Sequence, residues 1–176
     1  MSVVKQKIQE LVFRWVQKRH SRTPRYQSYK SAKRVLLLFE SDQRELNVQI
    51  KTLVKQLQQD GKEVSAWGYV DKPQAESAVL RDYRVLSQHD FTRLGLPTDA
   101  IRQDITRQRY DLLIDLNISD TLPLRYLSLY AEADFRTGKM TEEPYRNDFM
   151  IQIGYETNPA YLFDQIIHYL KNIETC

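Results

Sequence analysis

The stretch VLLLFESDQRELNVQI, residues 35–50, decides the fold class of this 176-residue chain. Its first five residues form a continuous apolar run, which is typical of a strand covered on both faces. Asp42 and Glu45 then have the spacing of a helical capping box. One apolar helical face follows and ends at Asp60-Gly61; it consists of Leu46, Ile50, Leu53, Val54 and Leu57. A buried strand that leads directly into a helix predicts a parallel sheet, since parallel neighbours need crossover connections.

The same alternation continues to the end of the chain. Further strands are predicted over residues 63–70, 83–87, 112–116, 133–138 and 149–153. Helices are predicted to start near Thr98 or Asp99, after Thr121, and at Asn158-Pro159. We therefore predict an α/β fold: a single three-layer domain over residues 35–176 with a mainly parallel, Rossmann-like sheet, preceded by an amphipathic N-terminal helix.

Charge is divided by position along the chain. Residues 1–34 hold 10 Lys or Arg against one acid, Glu10, whereas residues 35–176 hold 16 against 22, and the whole chain has a formal charge of +3. Like charges packed this densely repel unless something neutralises them. We therefore interpret residues 1–34 as a basic arm that contacts an anionic partner.

The arm consists of two parts. From Val4 to about Lys18 the apolar residues follow one helical face, with Phe13 off that face; they are Val4, Ile8, Leu11, Val12 and Trp15. At 100° per residue, Lys7, Arg14 and Lys18 lie along one edge of the stripe. Residues 20–30 have no helical period and predict an extended basic linker.

Three interpretations of the arm stay open. The apolar stripe docks on the domain or on a second copy of the chain, which is the commonest use of such a stripe. Alternatively, the helix lies in a membrane interface with Trp15 at headgroup level, or the arm binds nucleic acid with His20, Tyr26 and Tyr29 available for stacking. The residues predicted to contact the anionic partner are Lys7, Arg14, Trp15, Lys18, Arg19, Arg22 and Arg25.

The alternative function is a small-ligand-binding or enzymatic domain that uses the carboxyl ends of the strands, where open parallel sheets bind ligands. The candidates for this strand-end rim are Glu40, Asp42, His89, Asp90, Asn117 and Glu156. His89-Asp90 has the composition of a base with its orienting acid, although a loop histidine beside a helix-capping aspartate is the commoner explanation of such a pair. Asp115 interrupts an apolar strand, and we expect it to face the polar end of the sheet, because an isolated buried carboxylate is costly.

Several classes of site are not indicated. Five glycines, none in the loop after the first strand, argue against a phosphate-cradling loop, and three scattered histidines give no metal spacing. We therefore predict no cofactor, no metal and a non-enzymatic protein. One cysteine, Cys176, and the lack of a secretory or transmembrane stretch favour the cytoplasm.

The second half resembles a known family in three blocks and a closing helix: Tyr110-Asp-Leu-Leu-Ile-Asp115, Ala133-Asp-Phe-Arg-Thr-Gly138, Asn147-Asp-Phe-Met-Ile151 and Tyr169-Leu170-Lys171. The family consists of uncharacterised Bacteroidetes proteins and is classed as a domain of unknown function; the resemblance covers residues 34–173. It implies a small α/β domain and no known activity, cofactor or catalytic residue. Residues 111–138 also resemble the first domain of heptosyltransferase-type glycosyltransferases, but the Gly-Asp turn after the first strand and their nucleotide-sugar-binding second domain are lacking. That likeness implies shared architecture only.

Overall fold

The computed structural model describes residues 3–41, 45–72, 75–141 and 147–173. The helices in these residues are α1 (Val3–Arg19), α2 (Glu45–Gln59), α3 (Asp99–Ile105), α4 (Leu122–Tyr130) and α5 (Pro159–Asn172). The strands are β1 (Arg34–Glu40), β2 (Glu63–Tyr69), β3 (Ala78–Val79), β4 (Arg84–Leu86), β5 (Arg109–Leu116), β6 (Glu132–Lys139) and β7 (Phe149–Ile151). A short 3₁₀ turn, Gln88–Asp90, follows β4.

The strands form one sheet in the order β3-β4-β2-β1-β5-β6-β7. Neighbouring strands are parallel except for the edge pair β3 and β4. From β1 the chain moves outward to one edge, then returns to the centre at β5 and proceeds to the other edge. The order therefore reverses between β1 and β5, which is where open α/β sheets form a crevice beyond the strand ends. The predicted mainly parallel, Rossmann-like sheet is confirmed.

Helices cover both faces of the sheet, as its central strand requires. In β1, Leu37 and Phe39 pack with α2 and α5, whereas Leu36 and Leu38 pack with α1, α3 and α4. Five consecutive residues of β1 are buried. This burial on both faces explains why the run is uniformly apolar instead of alternating. The three-layer prediction is confirmed.

The predicted elements agree with the observed ones to within a few residues, with one difference. Helix α2 ends at Gln59, just before the expected Asp60-Gly61, and the φ of 77° at Gly61 suits a residue without a side chain. The capping box expected from Asp42 lies outside the described residues. Strand β3 was not predicted, because two residues at an antiparallel edge carry no readable period.

The segment between α1 and β1 is held on the domain by specific bonds. The Tyr29 hydroxyl donates to Asp60 at 2.7 Å. The Lys62 ammonium donates to the carbonyl oxygens of Tyr29 and Ala32, at 2.5 and 2.7 Å, and lies 4.6 Å from the centre of the Tyr29 ring. The segment predicted as an extended linker is therefore without helix or strand over residues 21–28, but it is anchored at its end.

Candidate functional site

Helix α1 contacts the domain through different side chains from those that its pattern indicated. Phe13 and Val16 are buried, and the Phe13 ring packs edge-on against Tyr126 with the ring centres 5.2 Å apart. Of the predicted apolar stripe only Val12 packs against the domain, so the stripe as a whole does not dock there, and its docking on a second copy of the chain stays a prediction. The reason is that α1 has a second, narrower apolar face, and the larger Phe13 ring fills the pocket between α1 and α4.

The other four residues of the predicted stripe face outward. Val4, Ile8, Leu11 and Trp15 are 65%, 44%, 67% and 54% exposed, and we call these four residues the apolar ridge. At 100° per residue they lie on the far side of the helix from Phe13 and Val16. An apolar ridge on an outer helix costs free energy in water, which indicates a surface that is covered by something else.

Positive charges border the apolar ridge. Lys7, Arg14 and Lys18 are exposed along one side of it, and on the other side the Arg19 guanidinium lies 3.5 Å from the centre of the Trp15 ring. Arg14 contacts Glu10 at 3.4 Å, but this exposed pair contributes little energy. Glu10 is the only acid in α1. The apolar ridge is therefore bordered by cations on both sides. We call these cations, Lys7, Arg14, Lys18 and Arg19, the positive frame.

Arg22 and Arg25 stand apart from this surface. Arg22 is half-buried and donates to the Asp148 carboxylate and, at 3.1 Å, to the Asp134 carbonyl oxygen. Its charge is compensated within the chain, so it is a poor contact for an external partner. Arg25 holds the segment through its backbone N–H, which donates to the carbonyl oxygen of Asp134 at 3.0 Å, while its side chain is exposed.

Several aromatic rings of the arm, but not Trp15, contact the domain. The His20 ring lies 4.6 Å from the Tyr130 ring, and the Tyr26 ring lies 5.3 Å from Phe135. Burial lowers the pKa of His20 below its usual value, with smaller contributions from Arg136 and Arg102. Of the three rings that were expected to stack on nucleic-acid bases, Tyr29 is buried and Tyr26 is half-buried, while His20 is exposed beside Tyr130.

Two residues of the predicted strand-end rim meet where the strand order reverses. Glu40, at the end of β1, accepts bonds from the backbone N–H and, at 2.9 Å, the hydroxyl of Ser119. Asn117, at the end of β5, accepts the N–H of Thr121 at 2.7 Å and donates to its carbonyl oxygen at 3.0 Å. Both side chains fix the loop before α4. The third candidate of this group, Asp42, lies outside the described residues.

The remaining rim candidates lie elsewhere and support their own loops. Asp90 accepts the N–H of Ser87 at 2.9 Å and the hydroxyl of Ser77, so its carboxylate closes a capping box and does not orient His89. Glu156 accepts the N–H groups of Thr157 and Asn158, at 2.9 and 2.8 Å, ahead of α5. Among the residues that the structure describes, the rim candidates therefore do not converge on one pocket.

Asp115 differs from its expected position. Its side chain is buried, and its carboxylate accepts the backbone N–H of Asn117 at 3.1 Å. The strand end therefore turns back on itself and supplies the partner that a buried carboxylate needs. Asp120, three residues after Asn117, has a φ of 58°, a left-handed conformation that is rare for a residue with a side chain.

A cleft of about 800 Å³ lies between the first half of α1 and the carboxyl ends of β2, β4 and β5. Its walls include Lys5 of α1, Tyr69 of β2, Arg93 after β4 and Asp120 before α4. Tyr69 and Phe91 pack edge-on with ring centres 5.3 Å apart. The sequence analysis missed this cleft because its walls are distant in the chain and carry no common motif.

Two general searches of the described residues complete the site. No helix there is long and apolar enough to cross a membrane. No three His, Cys, Asp or Glu side chains in this part of the chain come together as a metal site.

Comparisons with known proteins add a family and one structural likeness. The model of a family of unknown function, DUF6913, matches residues 5–173. No curated protein matches the chain. Among solved structures, the chain is similar to E. coli heptosyltransferase WaaC with ADP at 18% identity and a TM-score of 0.41, over 75% of this chain and 46% of that chain. The chain thus spans less than half of that enzyme, and so weak a likeness carries no inference about activity.

Proposed function

Since the chain belongs to DUF6913, a family of unknown function, we propose a function from the geometry of α1: the protein docks on an anionic lipid surface. In this proposal α1 lies flat in the membrane interface, with the apolar ridge among the upper acyl chains and its cations at the headgroups. The protein acts as a peripheral binding protein, and no catalytic role is proposed for it.

The observation that supports this proposal is the outward orientation of the apolar ridge inside its positive frame. Each Lys or Arg near an anionic bilayer contributes about 1 kcal/mol, and each buried methylene adds about 0.8 kcal/mol. Lys7, Lys18 and Arg19 together with four partly inserted apolar side chains therefore give reversible binding without a membrane-spanning segment.

The charges of α1 favour a lipid surface over the other two partners. A second copy of the chain would bring one positive frame against another, with Glu10 as the only acid on the helix to offset it. Nucleic acid would neutralise the cations but would leave the aliphatic side chains Val4, Ile8 and Leu11 without an apolar partner, and the rings of His20 and Tyr26 are packed on the domain. An anionic bilayer matches both the apolar and the charged part.

Flotation with vesicles tests the proposal directly. The protein is expected to float with phosphatidylcholine vesicles that contain phosphatidylglycerol and not with pure phosphatidylcholine. Replacing Lys7→Gln together with Lys18→Gln is expected to weaken binding about 30-fold, because two cations are lost. The charge-matched control is Lys51→Gln with Lys55→Gln on α2, which is expected to bind as the unmodified protein does.

The apolar part has its own variant and control. Leu11→Ser is expected to reduce flotation, whereas Val48→Ser is not, although Val48 on α2 is 64% exposed and thus as accessible as Leu11. Equal binding by the Leu11 and Val48 variants would show that the ridge takes no part. Absence of flotation at low salt for the unmodified protein would overturn the proposal, and light scattering would then test the second-copy alternative.

Three finer statements remain predictions within this proposal. They are the division of the chain into a basic arm, 1–34, and a domain, 35–176, a cytoplasmic location, and an origin in Bacteroidetes. The alternative function, binding of a small ligand, was placed at the strand-end rim by the sequence; we consider it next for the cleft instead.

A further inference from the structure

The cleft beside α1 has the position and size of a small-molecule site. It lies beyond the carboxyl ends of parallel strands, next to the place where their order reverses. Its volume of about 800 Å³ is within the range of ligand sites, which bury most of a small molecule. This position and volume do not depend on whether α1 docks on a membrane.

The charges that line the cleft are unequally compensated. Two of its carboxylates are paired with arginines: Glu10 contacts Arg14, and Asp120 is paired with Arg125. Asp71 accepts bonds from Gln88 at 2.7 Å and Tyr69 at 3.3 Å, but both donors are neutral and do not offset its charge. Lys5 and Arg93 also line the cleft, and within the described ranges neither has a carboxylate partner. The charges of the cleft that these contacts leave unbalanced are therefore two cations and one carboxylate, an excess of positive charge.

The start of α4 opens on the same space. Thr121 precedes the helix, but its hydroxyl donates to Asn117 at 3.1 Å and does not cap the first turn. The first turn of α4 contains no acid, and Asp120, just before it, is neutralised by Arg125. Pro123 has no N–H, so the backbone donors of this first turn are those of Leu122 and Leu124, and they add to the attraction that Lys5 and Arg93 exert on an anion.

We propose that the cleft binds a phosphate monoester, with Lys5 and Arg93 as its anion-binding residues. The two cations outnumber the one carboxylate of the cleft that has no arginine partner, and the fork of an arginine suits phosphate oxygens. The phosphate fills only part of the volume, so the rest of the ligand lies along Tyr69 and Phe91. Such a phosphate has two sources, a soluble organic phosphate or the headgroup of a lipid on which α1 docks.

Titration of the full-length protein with inorganic phosphate tests the site without any membrane. Saturable shifts of the Gly95 and Leu122 backbone amide signals are expected in the NMR spectrum, because both residues line the cleft. Arg93→Gln is expected to weaken the binding about tenfold, since a charge-assisted bond is lost. Arg81→Gln, an exposed arginine in the turn between β3 and β4, is the control and is expected to bind as before. Unsaturable shifts, or equal affinities of the two variants, would overturn the proposal.

Vesicles distinguish the two sources. Phosphatidic acid carries a monoester headgroup and phosphatidylglycerol a diester, although both are anionic. Preference for phosphatidic acid that Arg93→Gln removes, with binding to phosphatidylglycerol retained, would assign the headgroup; saturable phosphate binding without this preference would assign a soluble ligand. If no vesicle binds but phosphate does, the docking function fails and the cleft site stands.

Discussion

Lys62 shows how a single charged side chain holds the segment before the sheet in place. Burial is the main cause that lowers its pKa, so the ammonium carries a desolvation cost. That cost is offset by the carbonyl oxygens of Tyr29 and Ala32 and by the face of the Tyr29 ring. Lys62 therefore holds the segment between α1 and β1 against the start of β2.

Replacing Lys62→Met is expected to lower the free energy of unfolding by about 1–3 kcal/mol, because two buried carbonyl oxygens lose their donor. Urea denaturation measures the change. Lys55→Met, at an exposed position of α2, is the control and is expected to change stability by less than about 0.5 kcal/mol. If the two variants are equally stable, the hydrogen bonds of the Lys62 ammonium do not stabilise the position of the segment between α1 and β1.

Helix α1 is the element whose function depends most on its two different faces. Its periodicity predicted a helix correctly, and Val3–Arg19 is helical. The pattern did not reveal which face is covered, because an apolar stripe says nothing about which neighbour lies opposite. Phe13 was off the stripe in the sequence, and it is the residue that anchors the helix against Tyr126.

Alanine substitutions at Phe13 and Leu11 measure separately how much the buried face and the exposed face of α1 contribute to stability. Phe13→Ala is expected to cost about 3 kcal/mol of unfolding free energy, because it leaves a cavity beside α4. Leu11→Ala is expected to change stability by less than about 0.5 kcal/mol, since its side chain is already in contact with water. A large loss in the Leu11 variant would show that the ridge is covered in solution, as in a dimer. Urea unfolding at two protein concentrations reads out both effects.

At the scale of the whole molecule, local patterns were sufficient for the architecture and insufficient for the site. The apolar run of β1 and the stripe of α2 fixed the layers, and the crossovers fixed the parallel sheet. By contrast, the cleft joins Lys5, Tyr69 and Arg93, which come together only after the sheet has formed. The predicted strand-end rim residues do not meet for the same reason: Asp90 and Glu156 bond near themselves in the chain, whereas Glu40 bonds Ser119 in the loop after β5.

Truncation tests where the domain begins. A protein that starts at residue 21 is expected to unfold cooperatively, with a loss limited to the contacts of α1 and His20, chiefly those of Phe13 and Val16. A protein that starts at residue 35 also loses the Tyr29 bond to Asp60 and the two carbonyl partners of Lys62, so it is expected to be at least about 2 kcal/mol less stable than the first. Equal stability would place the boundary at residue 34, as the charge distribution indicated. Calorimetry of both proteins decides.

The positive frame around the apolar ridge also affects how strongly molecules of the protein associate with one another in solution. Added salt screens the repulsion between the lysines and arginines of neighbouring molecules, while it leaves the attraction between exposed aliphatic and indole groups intact or strengthens it. Concentrated solutions of the protein are therefore expected to be most stable at low ionic strength. Added salt, which is often used to improve solubility, would here promote aggregation through α1.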